Sequence, residues 1–286
     1  MVRDRLIAAG APCEIVILKT TGDRIQDRSL ADAGGKGLFV KELEDALLRE
    51  DIDLAVHSMK DVPTALPPGL SLAAFLERED PSEAFVSHKA NTLADLPKGA
   101  RLGTSSVRRH AQAVRVRPDL EVVLLRGNVD TRLKKLDDGE MDAIFLALAG
   151  LKRLGLQDRA TAILDPQAWL PSLAQGVIGI EIRETDTHAR EIVNMLNHVP
   201  SELAVTCERA FQAALDGSCR TPIAGLATVS GNTLAFEGEV LAPDGSQSEF
   251  TSFRIVFGHN PREEAQIAGR EAGEALKPKV AQWLSL

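Results

Sequence analysis

The chain has 286 residues, 44% of them hydrophobic, which is enough for two or three domains with cores of their own. The formal net charge of −8 argues against non-specific nucleic-acid binding, and no run approaches the ~20 apolar residues of a membrane span. Three cysteines (Cys13, Cys207, Cys219) make neither a disulfide framework nor a Cys-x-x-Cys metal pair, and no secretory core follows Met1, so thiols in a reducing cytoplasm are expected.

Residues 1–10 read as the last turns of an amphipathic helix with Leu6 and Ile7 apolar. Cys13-Glu14-Ile15-Val16-Ile17-Leu18 is β-branched and reads as a strand. Gly34-Gly35-Lys36-Gly37 precedes a helix over about 38–48. It is no phosphate loop, because Gly37 stands where Ser or Thr would follow the lysine. It reads as a mobile loop with one cation, or as a plain flexible loop. Leu54-Ala55-Val56 is a short buried strand that turns polar at His57-Ser58-Met59-Lys60-Asp61 before Pro63 stops it. Open α/β sheets present sites in this way, at strand carboxyl ends; a solvated strand-to-loop turn is the competing reading.

Strands over 70–76 and 84–87 flank Arg78-Glu79-Asp80-Pro81, which reads as a hinge or crossover. From Arg101 to Lys135 there are seven Arg and two Lys against three acids. Within this basic block, Arg101-Leu102-Gly103-Thr104-Ser105-Ser106-Val107-Arg108-Arg109 reads strand, hydroxyl-rich turn, helix. A helix N-terminus with free N–H groups and adjacent arginines suits an anion; a capped helix with solvated arginines is the alternative. Strand 122–125 and then Arg126-Gly127-Asn128-Val129-Asp130-Thr131-Arg132 repeat the arrangement. After a strand over 141–147, a third helix is expected to start at Gly150-Leu151-Lys152-Arg153. The repetition points to Arg108, Arg109, Arg126, Arg132 and Arg153 converging on one edge, as a polycarboxylate or polyphosphate cleft.

Ala174-Gln175-Gly176 turns into a buried strand that returns to the first lobe. Helices follow at about 185–197 and 201–215. Cys219 then lies on a loop between Gly217 and Pro222, beside Arg220, which favours its thiolate; an incidental loop thiol competes with that reading. The tail reads as strands near 223–230, 232–242 and 248–257, then a helix after Pro261, a small α+β domain.

Five motifs in order are Gly35-Lys36-Gly37-Leu38-Phe39-Val40-Lys41-Glu42-Leu43, His57-Ser58-Met59-Lys60-Asp61-Val62-Pro63, Gly103-Thr104-Ser105-Ser106-Val107-Arg108-Arg109, Arg126-Gly127-Asn128-Val129-Asp130-Thr131-Arg132 and Gly217-Ser218-Cys219. Through them the chain, from about residue 3 onward, resembles the porphobilinogen deaminase (hydroxymethylbilane synthase) family. The resemblance implies an α/β fold of two lobes like those of periplasmic binding proteins, plus a small α+β C-terminal domain with a three-stranded antiparallel sheet. The expected bounds are 1–76 with 177–196, 82–171, and 200–286.

It also implies a transferase of tetrapyrrole biosynthesis. A dipyrromethane cofactor is held by a thioether to Cys219, and four porphobilinogen molecules add head to tail with loss of ammonia. Hydroxymethylbilane is released and passed to uroporphyrinogen-III synthase. By resemblance Asp61 is catalytic, stabilising the cationic azafulvene left by deamination. Ser58, Lys60, Thr104, Ser106, Arg108, Arg109, Arg126 and Arg132 hold the cofactor. Arg153, Lys36, Phe39, Gln175 and Gly176 meet substrate. A cytoplasmic monomer is expected, with no metal, nucleic acid or membrane as partner.

The family's opening strand and the start of its first helix have no counterpart here, so the expectation is that the native protein begins upstream and that the shorter chain is less active or inactive. Competing with the enzyme is a non-catalytic two-lobed carboxylate- or phosphate-binding protein; it explains the arginines but gives Asp61 and Cys219 no role. A nucleic-acid-binding regulator is the weaker competitor, resting on the basic block alone.

Overall fold

The computed structural model describes residues 1–18, 20, 40–216 and 221–284. Its first sheet has the order β1-β8-β2, with β1 (Ala55–Ser58) and β2 (Leu70–Phe75) both antiparallel to the central β8 (Ile178–Arg183). β8 is central because it can be buried on both faces. Ile178, Ile180 and Ile182 alternate onto one face, where Val2, Leu6, Ala74 and Val193 meet them. Gly179 and Glu181 face the other way; a Cβ on Gly179 would come within 2.1 Å of Met59 Sδ.

The second sheet has five strands in the order β5-β4-β6-β3-β7. Here β4 (Arg101–Gly103) runs parallel to β5 (Glu121–Val123) and to β6 (Ala143–Ala147), while β3 (Glu83–Ser87) is antiparallel to β6 and to β7 (Ala162–Ile163). Ala84 and Val86 pack into one core and Phe85 into another on the opposite face, as the two-residue period of a strand requires. Helices Val107–Val116 and Val129–Asp137 make the crossovers from β4 to β5 and from β5 to β6. Because β4 lies between β5 and β6, the connections diverge there and leave a crevice at the strand carboxyl ends.

The C-terminal unit is the antiparallel meander β9 (Ile223–Ser230), β10 (Thr233–Leu241) and β11 (Ser248–Val256). Helices Val199–Ala214 and Pro261–Leu284 complete it, around Cys207, Phe211, Leu234, Phe236 and Val240. The two helices touch at Gly269, where a Cβ would meet Cys207 O at 2.1 Å.

Two expectations are corrected. Residues 11–18 form no strand, and Ile15, Val16 and Ile17 are exposed by 63%, 59% and 84%. A β-branched run supplies the propensity, but a strand also needs a hydrogen-bonding neighbour, and no described strand pairs with this one. The helix after β6 spans Leu148–Arg153, with no loop before it. Gly150 is therefore inside it and Arg153 ends it, because Leu148 and Leu151 pack into the core as soon as the strand stops.

Candidate active site

The polar end of β1 sits beside the crossovers between the two lobes. Ser58 pairs with Ile178, so the strand's carboxyl end lies next to the chain returning through Gln175 and Gly176. Met59–Asp61 then form one 3₁₀ turn whose buried Met59 anchors it to the core. His57 points inward and its Nε2 is 2.9 Å from Glu181 Oε2, with both side chains buried, so it belongs to the lobe's interior. Lys60 Nζ donates to Gln175 Oε1 at 3.3 Å. Burial holds Lys60 below the usual ammonium range; Arg109 and Arg108 push the same way, while Asp61 and Glu83 oppose them. Asp61 is exposed.

The crossover is built for close approach. Gln175 is 1% exposed and its Nε2 donates to Pro81 O at 2.8 Å. Gly176 has φ +91°, and a Cβ there would meet Glu79 O at 2.3 Å. Arg153, from the other lobe, donates through Nη2 to Gly176 O at 2.7 Å. Ser58, Lys60, Gly150, Arg153 and Gly176 thus share the wall of a cleft of about 70 Å³ between the lobes. Arg78 ties this crossover to the C-terminal unit. Its guanidinium pairs with both oxygens of Glu208 at 2.7 and 3.0 Å, and its Nε donates to Gln175 O at 2.9 Å. Glu208 also accepts from the backbone N–H groups of Ala174 and Ala227.

After β4 the hydroxyls organise the turn. Ser106 N donates to Thr104 Oγ1 at 3.1 Å, and Ser106 Oγ caps the helix by accepting from Arg109 N at 3.3 Å. The cap delivers Arg108 and Arg109 into the interior, where both are buried around one carboxylate. Glu83 Oε1 accepts from Arg108 Nη2 at 2.5 Å and Glu83 Oε2 from Arg109 Nη2 at 2.6 Å. Arg108 Nη1 continues to Gln112 Oε1 at 2.8 Å, and Arg109 Nη1 to Phe145 O at 2.9 Å, while Arg109 Nε is buried with no hydrogen-bond partner among the described residues. Burial alone would raise Glu83, but Arg109 and Arg108 outweigh it and hold the carboxyl at about 2.

Beyond β5, Asn128 caps the next helix by accepting from Thr131 N at 2.9 Å, and Arg132 Nε donates to Gly127 O at 2.7 Å. Arg132 is pushed down to about 10 by burial and by the charges of Arg109 and Arg126, against the pull of Asp61. Arg126 is buried, and burial lowers it too. Lys60 feels the charges of Asp61 and Arg109, and Arg132 those of Arg109, Arg126 and Asp61, so the loops after β1, β4 and β5 lie within electrostatic reach of one another.

Lys36, Phe39 and Cys219 lie outside the described residues. Glu83 escapes the sequence reading, which takes the strand only from Ala84. The signal for it is indirect: two arginines on a helix that packs into a core require a buried counter-charge. β3 is antiparallel to β6, with Glu83 opposite Ala147, and so its first residue reaches the carboxyl edge where the arginines are.

Lys60, Arg108, Arg109 and Arg132 therefore act on the carboxylates of Glu83 and Asp61, with Arg126 near Arg132 and Arg153 on the cleft wall, and Glu83 is already committed to Arg108 and Arg109. This is a two-lobed α/β protein with a cationic interlobe cleft, suited to an anion bearing several carboxylates. Among the described residues no cluster of His, Cys, Asp and Glu could hold a metal ion, and no helix is long and apolar enough to cross a membrane.

Two family models match: "Porphobilinogen deaminase, dipyromethane cofactor binding domain" over residues 1–191 and "Porphobilinogen deaminase, C-terminal domain" over residues 202–278. A porphobilinogen deaminase of Nitrobacter hamburgensis is 50% identical over 285 residues, covering 98% of this chain and 89% of that protein. Among solved structures, the periplasmic VFT2 domain of BvgS from Bordetella pertussis is similar over 66% of this chain and 72% of its own, at 16% identity and a TM-score of 0.39. An arginine-specific periplasmic binding protein from Salmonella typhimurium is similar over 68% of this chain and 78% of its own, at 16% identity and a TM-score of 0.36. The chain belongs to the porphobilinogen deaminase family.

Proposed function

We propose that this chain is a hydroxymethylbilane synthase, joining four porphobilinogen molecules head to tail onto a dipyrromethane cofactor and releasing the linear tetrapyrrole. In each condensation the C–N bond breaks as ammonia leaves, the free α-carbon of the bound terminal pyrrole forms a C–C bond to the freed methylene and loses its proton, and after the fourth condensation water cleaves the tetrapyrrole from the cofactor. The observation that carries the assignment of roles is Asp61: an exposed carboxylate that follows Lys60 in the chain and whose charge acts on both Lys60 and Arg132. A carboxylate facing a pyrrole N–H stabilises the positive charge that develops as ammonia departs, and it can relay a proton.

The donor set suits the cofactor. Its two pyrrole rings carry four carboxylates, and the cleft supplies hydroxyls, an ammonium and guanidinium groups from three loops. When bound, the dipyrromethane supplies the terminal ring to which the first substrate unit is joined. Lys60, Arg109, Arg126 and Arg132 hold acetate and propionate groups. Arg108 acts more through Glu83 and Gln112, which already take its donors. Ser58, Thr104 and Ser106 line the same approach. Gln175 and Gly176 keep Lys60 and Arg153 against the crossover, and Arg153 meets the incoming substrate. Lys36 and Phe39 meet substrate in this reading.

Cys219 carries the thioether. Cys207 is a poor alternative, being fully buried with its thiol pushed well up by burial. Domains bounded at about 1–76 with 177–196, 82–171 and 200–286 go with this reading. So do a monomer, a cytoplasmic location and transfer of the product to a uroporphyrinogen-III synthase.

Intact mass and turnover test the proposal. Protein from cells able to make the cofactor is expected to be heavier than its sequence by one dipyrromethane, and Cys219→Ser to lack that increment. Asp61→Asn is expected to keep the cofactor and lose turnover by ~10²–10⁴-fold. An unmodified wild-type mass, or near-normal turnover in Asp61→Asn, overturns the corresponding assignment.

A further inference from the structure

The loop that follows Asp61 has no regular structure, and its backbone needs partners from elsewhere. They come from the C-terminal unit. Arg209, on helix Val199–Ala214, donates from Nη1 to Val62 O at 3.0 Å, and from Nη2 to Pro63 O at 2.6 Å and Thr64 O at 3.1 Å. One guanidinium thereby takes three successive carbonyls, the first of them on the residue next to Asp61. Val205, one turn earlier on the same helix face, packs in one core with Val62 and Met59, which flank Lys60 and Asp61. The helix therefore grips the site's polar turn by an apolar contact and a planar polar one.

A guanidinium placed here is costly. Burial depresses Arg209 to about 10, Glu181 supplies the opposing negative charge, and its direct partners are neutral carbonyls. Its fork of donors matches three consecutive carbonyls as a lysine's point charge cannot. We propose that Arg209 is a positioning residue for the reaction, holding the Val62–Thr64 loop so that the carboxylate of Asp61 stays on the reacting pyrrole. This rests on the role assigned to Asp61 above.

The experiment compares Arg209→Lys and Arg209→Gln in the wild-type and Asp61→Asn backgrounds, using holoprotein of verified cofactor mass and porphobilinogen as substrate. With Asp61 present, kcat is expected to fall about ten- to a hundredfold with KM little changed, and Lys to lose less than Gln. In the Asp61→Asn background the same substitutions are expected to cost little more, because the group being positioned is gone. Amide hydrogen exchange is expected to speed up at residues 61–66 and not along helix Val199–Ala214.

A kcat within twofold of wild type in both variants overturns the proposal. So does an equal fractional loss in both backgrounds, which marks general damage. Collapse of the fold in both variants assigns Arg209 to stability alone and also overturns it. If Asp61→Asn by itself turns over normally, the reading of Asp61 fails and takes the catalytic half of this proposal with it. Unchanged exchange at residues 61–66 removes the remaining half.

Discussion

Glu83 decides how the two adjacent arginines behave. Without it, two guanidiniums would share a buried space with no counter-charge, and removing one partner of such a cluster costs ~3–5 kcal/mol. Glu83→Gln is expected to lower the unfolding free energy by about that much in denaturant titrations at pH 7. The pH dependence follows from the same contact. Glu83 is held at about 2, below its ordinary 4.5, so the folded state binds this proton more weakly than the unfolded one. Its stabilisation is complete above about pH 4.5 and is lost as pH falls towards 2. Glu83→Gln should flatten that part of the stability profile; an unchanged acid limb would mean that other carboxylates govern it. Asp61 and Lys60 were legible in the sequence because the change from apolar strand to polar turn happens within a few residues. Glu83 was not, since its partners lie 25 and 26 positions away and every residue of its strand is buried. Buried position normally signals apolar packing, and only the folded register reveals the exception.

The crossovers carry the geometry between lobes. Residues 78–81 read as a hinge or crossover and 174–176 as a turn, but the contacts between them were not legible. Gly176 meets the Glu79 carbonyl so closely that any side chain must push the two crossover segments apart. Gly176→Ala is expected to destabilise by more than the ~1 kcal/mol of an ordinary Gly-to-Ala backbone change, because left-handed strain and a clash with a carbonyl add together. It should also raise KM, as Arg153 and Lys60 both hang on this turn. Thermal unfolding and steady-state kinetics would reveal both effects, and a variant matching wild type in both would mean the crossovers part without loss. The error at residues 13–18 has the opposite origin. There the local pattern was strong, but pairing is a property of neighbours, which a run of six residues does not carry.

Charge acts over the entire protein. A chain with net charge −8 draws a substrate with two carboxylates to an inner patch of cations, so attraction inside the cleft competes with repulsion outside it. At ordinary ionic strength salt largely screens exposed charges more than ~8–10 Å apart, and buried ones much less. Raising ionic strength is therefore expected to raise KM several-fold while kcat changes little, measured by initial rates at fixed pH; a flat KM would place the recognition in fully dehydrated contacts. The strand order carries a consequence for how the protein is made. Among the described residues β1 and β2 pair only with β8, whose residues lie more than a hundred positions further along. A ribosome must therefore deliver the whole intervening lobe before the first sheet can close, whereas that lobe's five strands all lie between Glu83 and Ile163. The lobe encoded second is then the first to finish folding, and the one encoded first waits with open strand edges, the stage at which chaperones would matter most.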